Sequence, residues 1–324
     1  MRKLLLGTTA LAAAATLSTN AALADVSISG AHEWSYNSRS SNQTALDGTT
    51  FGQDASVTIK FTNKTDSGLD LGYTLALDTD NDSLVNAESS LTISGGFGKI
   101  ELGNNDAAAD AYIIDEMDLI AEEAAPTQAS ATIGYSSSLA LADADQNKVS
   151  YHLPAMGGLT AGISFTDAGE EATSADTTTY GAKYTMSAGG AALTLGYTQA
   201  STENATQDKD SDNMGLKVVS GDISLIVSQG TKEESDEDIQ NQGASISYKM
   251  PNGMVLGAYT FKSEDDLDGG EEYSKSGAEV QYTIASGLTA YINVDDYEYT
   301  AGTTSSSATS DSGTNTKLTI KATF

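Results

Sequence analysis

From Asp25 to Phe324 the chain repeats one pattern. Runs of about ten residues alternate apolar and polar positions, and each ends at Gly, Asn, Asp or Ser. The last run shows it most plainly. Leu318, Ile320, Ala322 and Phe324 share one face, and Lys317, Thr319, Lys321 and Thr323 share the other. Side chains on a strand switch faces at every residue, so such a run is a strand with one greasy side and one wet side. Alternation and turn residues together predict sixteen strands, near residues 25–37, 53–63, 69–78, 87–95, 98–105, 147–153, 159–167 and 177–187 in the first half. In the second half they fall near 191–200, 212–220, 222–230, 239–250, 254–263, 275–285, 288–299 and 315–324.

The greasy sides need a partner. A sandwich would bury them together, whereas a closed barrel in lipid would turn them outward. Two features favour the barrel. Short and long connectors alternate along the chain, as in an up-and-down barrel with tight turns at one end and loops at the other. The apolar face is also rich in Tyr and Phe near the ends of the runs, where a ring meets lipid and a polar tip meets water. The opposite face is small and polar, with Thr58, Lys60, Thr74, Gly162, Ser164, Gly181, Lys183, Thr194 and Gly196 among its members. About sixteen strands leave an aqueous interior, so the expected fold is an all-β, 16-stranded antiparallel transmembrane β-barrel.

Residues 1–24 read as a secretory signal peptide. Arg2 and Lys3 precede an apolar stretch, and Ala22-Leu23-Ala24 supplies small residues before Asp25. The barrel domain is then 25–324. There is no Cys, so no disulfide staples it. The chain has 16 basic residues, 14 of them beyond the leader, against 45 acidic ones; the mature net charge is −31. That balance excludes nucleic acid as a partner and fits either a well-solvated acidic surface or an acidic aqueous lumen with acidic loop tips.

One connector is out of scale: Asn105 to Gln146. Tyr112 to Ile120 reads as a short helix ending before Pro126, with Asp115, Asp118 and Glu122 on one face and Ile113, Met117 and Ile120 on the other. A loop with a sticky face and an acidic face suits folding into the barrel. Asp110, Asp115, Glu116, Asp118 and Glu122 are the candidate constriction acids. By strand phase Lys60, Lys99, Lys148, Lys183, Lys249, Lys317 and Lys321 point inward and are the candidate basic wall. Whether they face the loop or neutralise acids along the wall stays open at this point.

The chain resembles a known family, the sixteen-stranded trimeric general porins of Gram-negative outer membranes, in particular the alphaproteobacterial type. The resemblance rests on the Asp25-Val26-Ser27-Ile28-Ser29-Gly30 opening and on the hairpin from Gly95 to Gly103 before the third loop. It rests also on Asn147-Lys148-Val149-Ser150-Tyr151 leaving that loop and on the terminal strand closing at Phe324. It implies passive diffusion of small hydrophilic solutes through a water-filled pore narrowed by an inward third loop. It also implies a homotrimer set in outer-membrane lipid, and Phe324 as the signal read by the outer-membrane assembly machinery. Family members often set several arginines opposite the acidic loop, but here the mature chain has only Arg39. A basic wall must therefore be made of Lys, a point charge without Arg's rigid fork.

Three other readings compete. A solute-specific porin would line its path with aromatic side chains, but only Tyr291 and Tyr297 are read as inward here. An enzyme barrel needs a nucleophile and a base, and the chain offers only His32, read as outward, and His152. A calcium-binding secreted adhesin is suggested by oxygen-rich loops, with Asp78, Asp80 and Asp82 as candidate ligands, but they do not form an EF-hand. No cofactor is expected beyond incidental calcium.

Overall fold

A computed structural model describes residues 25–42, 47–80, 83–122, 146–166, 175–204, 208–234, 237–266, 269–302 and 310–324. Sixteen strands are present. The first six are β1 (Asp25–Ser41), β2 (Gly48–Lys64), β3 (Asp70–Asp80), β4 (Ser83–Gly95), β5 (Gly98–Asn105) and β6 (Gln146–His152). The next five are β7 (Leu159–Thr166), β8 (Ala175–Ala188), β9 (Ala191–Asn204), β10 (Lys209–Ser220) and β11 (Ile223–Glu234). The last five are β12 (Glu237–Lys249), β13 (Val255–Asp265), β14 (Glu271–Ala285), β15 (Leu288–Thr300) and β16 (Asp311–Thr323).

Each strand pairs antiparallel with its chain neighbours, and β1 pairs with β16, so the sheet closes on itself. Closure matters because lipid offers no hydrogen bonds to an open edge. At the seam Ala31 lies opposite Thr323 and Trp34 opposite Ile320. Beyond that ladder, Gly30 N donates to Phe324 O at 3.3 Å and Phe324 N donates to Gly30 O at 2.9 Å.

The strands are longer than the alternation predicts, and the extra length lies at one end. Residues 79–86, 201–211 and 231–238 read as loops, but β3 runs on to Asp80 and β4 starts at Ser83, β9 runs to Asn204 and β10 starts at Lys209, and β11 runs to Glu234 and β12 starts at Glu237. The reason is solvent. Strand tips that rise out of lipid have water on both faces, so alternation fades while the ladder continues. Connector lengths therefore alternate less strictly than the sequence implies. At the other end the turns are short, and Gly189 (φ 59) and Gly190 (φ 87) supply the left-handed pair that a two-residue hairpin needs.

The outer surface is apolar and bare. Ile28, Val149 and Ile292 are each at least half exposed. Rings belt it: Trp34 stacks on Phe51 at 5.4 Å, and Phe61 tilts against Tyr73 at 6.0 Å. The buried residues lie inside the barrel, where loop and wall cover one another.

Candidate functional site: a channel crossed by the third loop

The segment after β5 turns into the barrel and runs along its inner wall. It does not form the expected helix. Two 3-10 turns, Ala108–Tyr112 and Glu116–Leu119, are joined by extended backbone, with Ile113 at φ −61 and ψ 138. Distance explains this. An α-helix rises about 1.5 Å per residue, and extended chain gains up to about 3.3 Å. The segment must reach from β5 across β6–β13 to β14 and β16, so it stretches.

Its path is held residue by residue. Ala107, Ala108 and Ala109 are small enough to lie flat and are buried, and Ala108 N donates to Ser164 Oγ at 3.1 Å. Tyr112 Oη lies 2.8 Å from His152 Nδ1, and His152 Nε2 lies 3.1 Å from Glu101 Oε2, which also meets Lys99 at 2.8 Å. With Nε2 donating to the carboxylate, Nδ1 accepts from the Tyr112 hydroxyl. Asp115 Oδ1 accepts from Met117 N at 2.9 Å and caps the second turn. Glu116 is wholly buried and accepts from Ser228 Oγ at 3.0 Å. At the far end Glu279 on β14 accepts from Ala121 N at 3.0 Å and Glu122 N at 2.7 Å. Glu122 in turn meets Lys317 Nζ at 2.9 Å and accepts from Thr319 Oγ1 at 3.3 Å. Beneath the path, inward wall positions are glycine: Gly162, Gly181, Gly196, Gly215, Gly243 and Gly257.

The five candidate acids therefore separate. Asp110 and Asp118 are exposed. Asp115, Glu116 and Glu122 are buried and employed in holding the loop. The proposed acidic and apolar faces are redrawn: the side chains that go to the wall are Tyr112, Ile114, Glu116 and, alone of the expected apolar face, Ile120, at the period of two that extended chain dictates. Ile113 and Met117 are only half-buried. Asp118 is open to water on one side only; partial desolvation by its surroundings, and after it the nearby Asp115, raise its carboxyl above the ordinary carboxylate range, while Lys217 and Lys183 partly offset them.

The lysines do not form one wall. Lys183 and Lys317 lie beside loop acids, on the loop's own side. Lys99 holds Glu101, Lys321 holds Glu33, and Lys148 is buried at the start of β6. Lys60 lines a cavity of about 570 Å³ at the short-turn mouth with Asp25, Lys64 and Asp70. Lys249 ends β12 beside the 221–222 turn. Lys217, not among the candidates, is the base nearest Asp118, at 3.9 Å. Its inward phase follows from Gly215 two residues before.

Opposite the loop the wall is acidic. Glu33 pairs with Asp54, Ser56 with Asp78, and Ala76 with Glu88, so four carboxylates fall in one band across β1–β4. Lys321 joins that band through Glu33. Of the calcium candidates, Asp78 belongs to this band, Asp80 ends β3, and Asp82 lies outside the described residues. A second feature was also missed. Tyr259, Phe261, Tyr273, Tyr291, Tyr297 and Tyr299 all point inward on β13–β15, where only Tyr291 and Tyr297 were expected. Their shared strand phase with Asn293, Asp295 and Lys275 was the available signal. They are buried; Tyr297 donates to Asp311 and Tyr299 to Glu271, both at 2.7 Å.

A family model described as Gram-negative porin matches residues 7–302. The chain belongs to the Gram-negative porin family. This places it in the outer membrane as a multi-pass β-barrel, and it points to a channel rather than an enzyme. No curated protein matches it in sequence. Solved structures share the porin's fold at low identity. An anion-selective porin from Comamonas acidovorans is 15% identical with a TM-score of 0.69, over 93% of this chain and 100% of that one. The trimer form of OmpT, an outer-membrane protein of Vibrio cholerae, is 13% identical with a TM-score of 0.69, over 93% and 99%. A mutant of the Rh. blastica porin is 15% identical with a TM-score of 0.64, over 93% and 100%. In this porin Phe324 closes the seam through its backbone while its ring stays 84% exposed.

Proposed function

We propose that this porin is a general diffusion channel for small hydrophilic solutes and ions, moderately cation-preferring, working as a homotrimer. The observation that carries the charge preference is the band of Glu33, Asp54, Asp78 and Glu88 facing the loop, joined from the loop by exposed Asp110 and Asp118. Carboxylates lining an aqueous pore raise the local cation concentration. The trimer is supported by the form in which OmpT is described, and by a flat outer patch. There His32 lies between Ala322 and Ala55, with Gly30 beside it.

A salt gradient across a planar bilayer tests the preference. A reversal potential of cationic sign that shrinks as salt rises is expected; a zero or anionic value would overturn it. The six inward aromatics favour a second reading, a solute-specific pore. Burial argues against them as a sliding surface for sugars. Swelling rates of loaded liposomes decide between the two. A general pore sorts sugars by size alone, and a specific one admits a single sugar out of order.

A further inference from the structure

We propose that the six wall glycines are the size-determining residues of the channel. By giving up their side chains they set how deeply the third loop sits in the wall, and so how much of the lumen stays open. This rests on the channel reading above.

None of the six has a positive φ, so their backbone does not require glycine. In a strand interior glycine is then a pure loss of packing and chain stiffness. What requires it is the loop. A Cβ on Gly162 would stand 2.8 Å from His152 Nδ1 and 2.9 Å from the Tyr112 ring, and one on Gly181 would stand 2.8 Å from Thr198 Cγ2 and 2.9 Å from Tyr112 Cβ, so at these two positions wall and loop crowd the site together. On Gly196 it would stand 2.8 Å from Tyr112 O, and on Gly257 2.8 Å from Ile120 Cδ1. On Gly215 it would overlap Ile114 O, and on Gly243 it would overlap the Glu116 carboxylate. Real Cβ contacts essentially never fall below 3.0 Å. On the strand between, β11, Ser228 fills the gap and donates to Glu116.

The loop cannot slide away from an added methyl. One end continues from β5, and the other is clamped by Glu279 and Lys317. A strap fixed at both ends bows toward the open side, which is the lumen. The obstacles also rank the effects. At Gly215 and Gly196 the Cβ meets a backbone carbonyl that no rotamer can move. At Gly243 it meets an enclosed side chain. At Gly257 it meets a terminal methyl that can turn.

The test is single-channel conductance and liposome swelling for Gly215→Ala, Gly243→Ala and Gly257→Ala, with assembly checked by heat-shifted migration on gels. Gly72→Ala is the control. It is an inward glycine on β3 away from the loop, where the nearest atom to a Cβ is at 3.5 Å. Gly215→Ala should lower conductance by roughly a third and exclude the larger sugars first, because a close-packed contact cannot absorb a methyl. Gly257→Ala should do the same more weakly, and it carries the test if Gly215→Ala fails to assemble. Gly243→Ala should be restored by Glu116→Ala, which removes the atoms in the way, while Gly215→Ala should not be. Unchanged or higher conductance in the assembled Gly215→Ala and Gly257→Ala pores would overturn the proposal. So would an equal loss in Gly72→Ala, or failure of the Glu116→Ala rescue. A wild-type protein that conducts no ions would instead overturn the channel reading itself.

Discussion

Two halves of the inner wall carry carboxylates at the height of the third loop, and they use them differently. On the covered half, Glu116, Glu122 and Glu279 are turned into the contact between loop and strands. Each finds donors there: Ser228 for Glu116, Lys317 and Thr319 for Glu122, and two loop amides for Glu279. On the open half, Glu33, Asp54, Asp78 and Glu88 stand in a band that the described part of the loop does not cover, with Lys321 on Glu33 and Ser90 donating to Glu88. Glu33 and Asp54 face each other across one strand pair, and Lys321 on the other side of Glu33 offsets their repulsion. The same residue type serves as a fastener where it is covered and as a field source where it is not. Counting acids in the loop therefore overstates the loop's share of the field.

The largest test of that contrast is to neutralise each half. Changing Glu33, Asp54, Asp78 and Glu88 together to their amides should cut the cation preference about tenfold. One carboxylate about 8 Å from an ion in water is worth about 0.5 kcal/mol, a little over twofold, before screening. Reversal potentials in a salt gradient measure it. If the quadruple variant keeps its preference, the contrast is wrong.

Next in size is the fastening. Glu279→Ala leaves the Ala121 and Glu122 amides without their acceptor, a local loss of about 2 kcal/mol for two hydrogen bonds at about 1 kcal/mol each. Amide exchange at those two residues should quicken by about thirtyfold, while selectivity changes little. Unaltered exchange would mean that the loop is held elsewhere. A smaller effect is expected at the loop's own exposed acid. Asp118→Asn should lower the cation preference by only about twofold.

The smallest effect is on pH. Partial desolvation and Asp115 raise the Asp118 carboxyl, so on acidification it takes up a proton before an ordinary carboxylate does. Its negative charge is present above that raised pKa and is lost as pH falls through it. Cation preference should show a minor step above the usual carboxylate range, ahead of the main decline, and Asp118→Asn should lack that step. A wild-type profile without the step, or one kept in the variant, would assign it to another group.

Much of the barrel was legible in the sequence because lipid imposes one rule on every strand. Leu318, Ile320 and Ala322 could face only outward once Lys317 and Lys321 faced in. The strand tips were not legible, since water wets both faces there and alternation carries no signal. The loop was misread for a related reason. Ile113, Met117 and Ile120 fit a helical spacing, and Tyr112, Ile114 and Glu116 fit an extended one. The choice depends on the span to be crossed, which only the closed barrel defines. Lys217 and the acids of β1–β4 were within reach of strand phase. Their position opposite or beside the loop depends on register around the whole ring, and no local pattern encodes it.

The seam between β1 and β16 has a consequence for how such a molecule comes to exist. Every other ladder joins chain neighbours, and all of these but β5–β6, which the third loop separates, can zip as local hairpins. The seam joins the first described strand to the last, and closing so long a loop costs about 3 kcal/mol more than closing a ten-residue one. That increment is modest and is met by the run of pairs from Ala31 to Ser41. The harder matter is time. Until Phe324 has arrived, both β1 and β16 are naked edges with lipid-seeking side chains, able to pair with any other unfinished copy. The ring is thus safe only as a finished object, and its kinetics call for an escort that shields two edges at once and leaves when they meet.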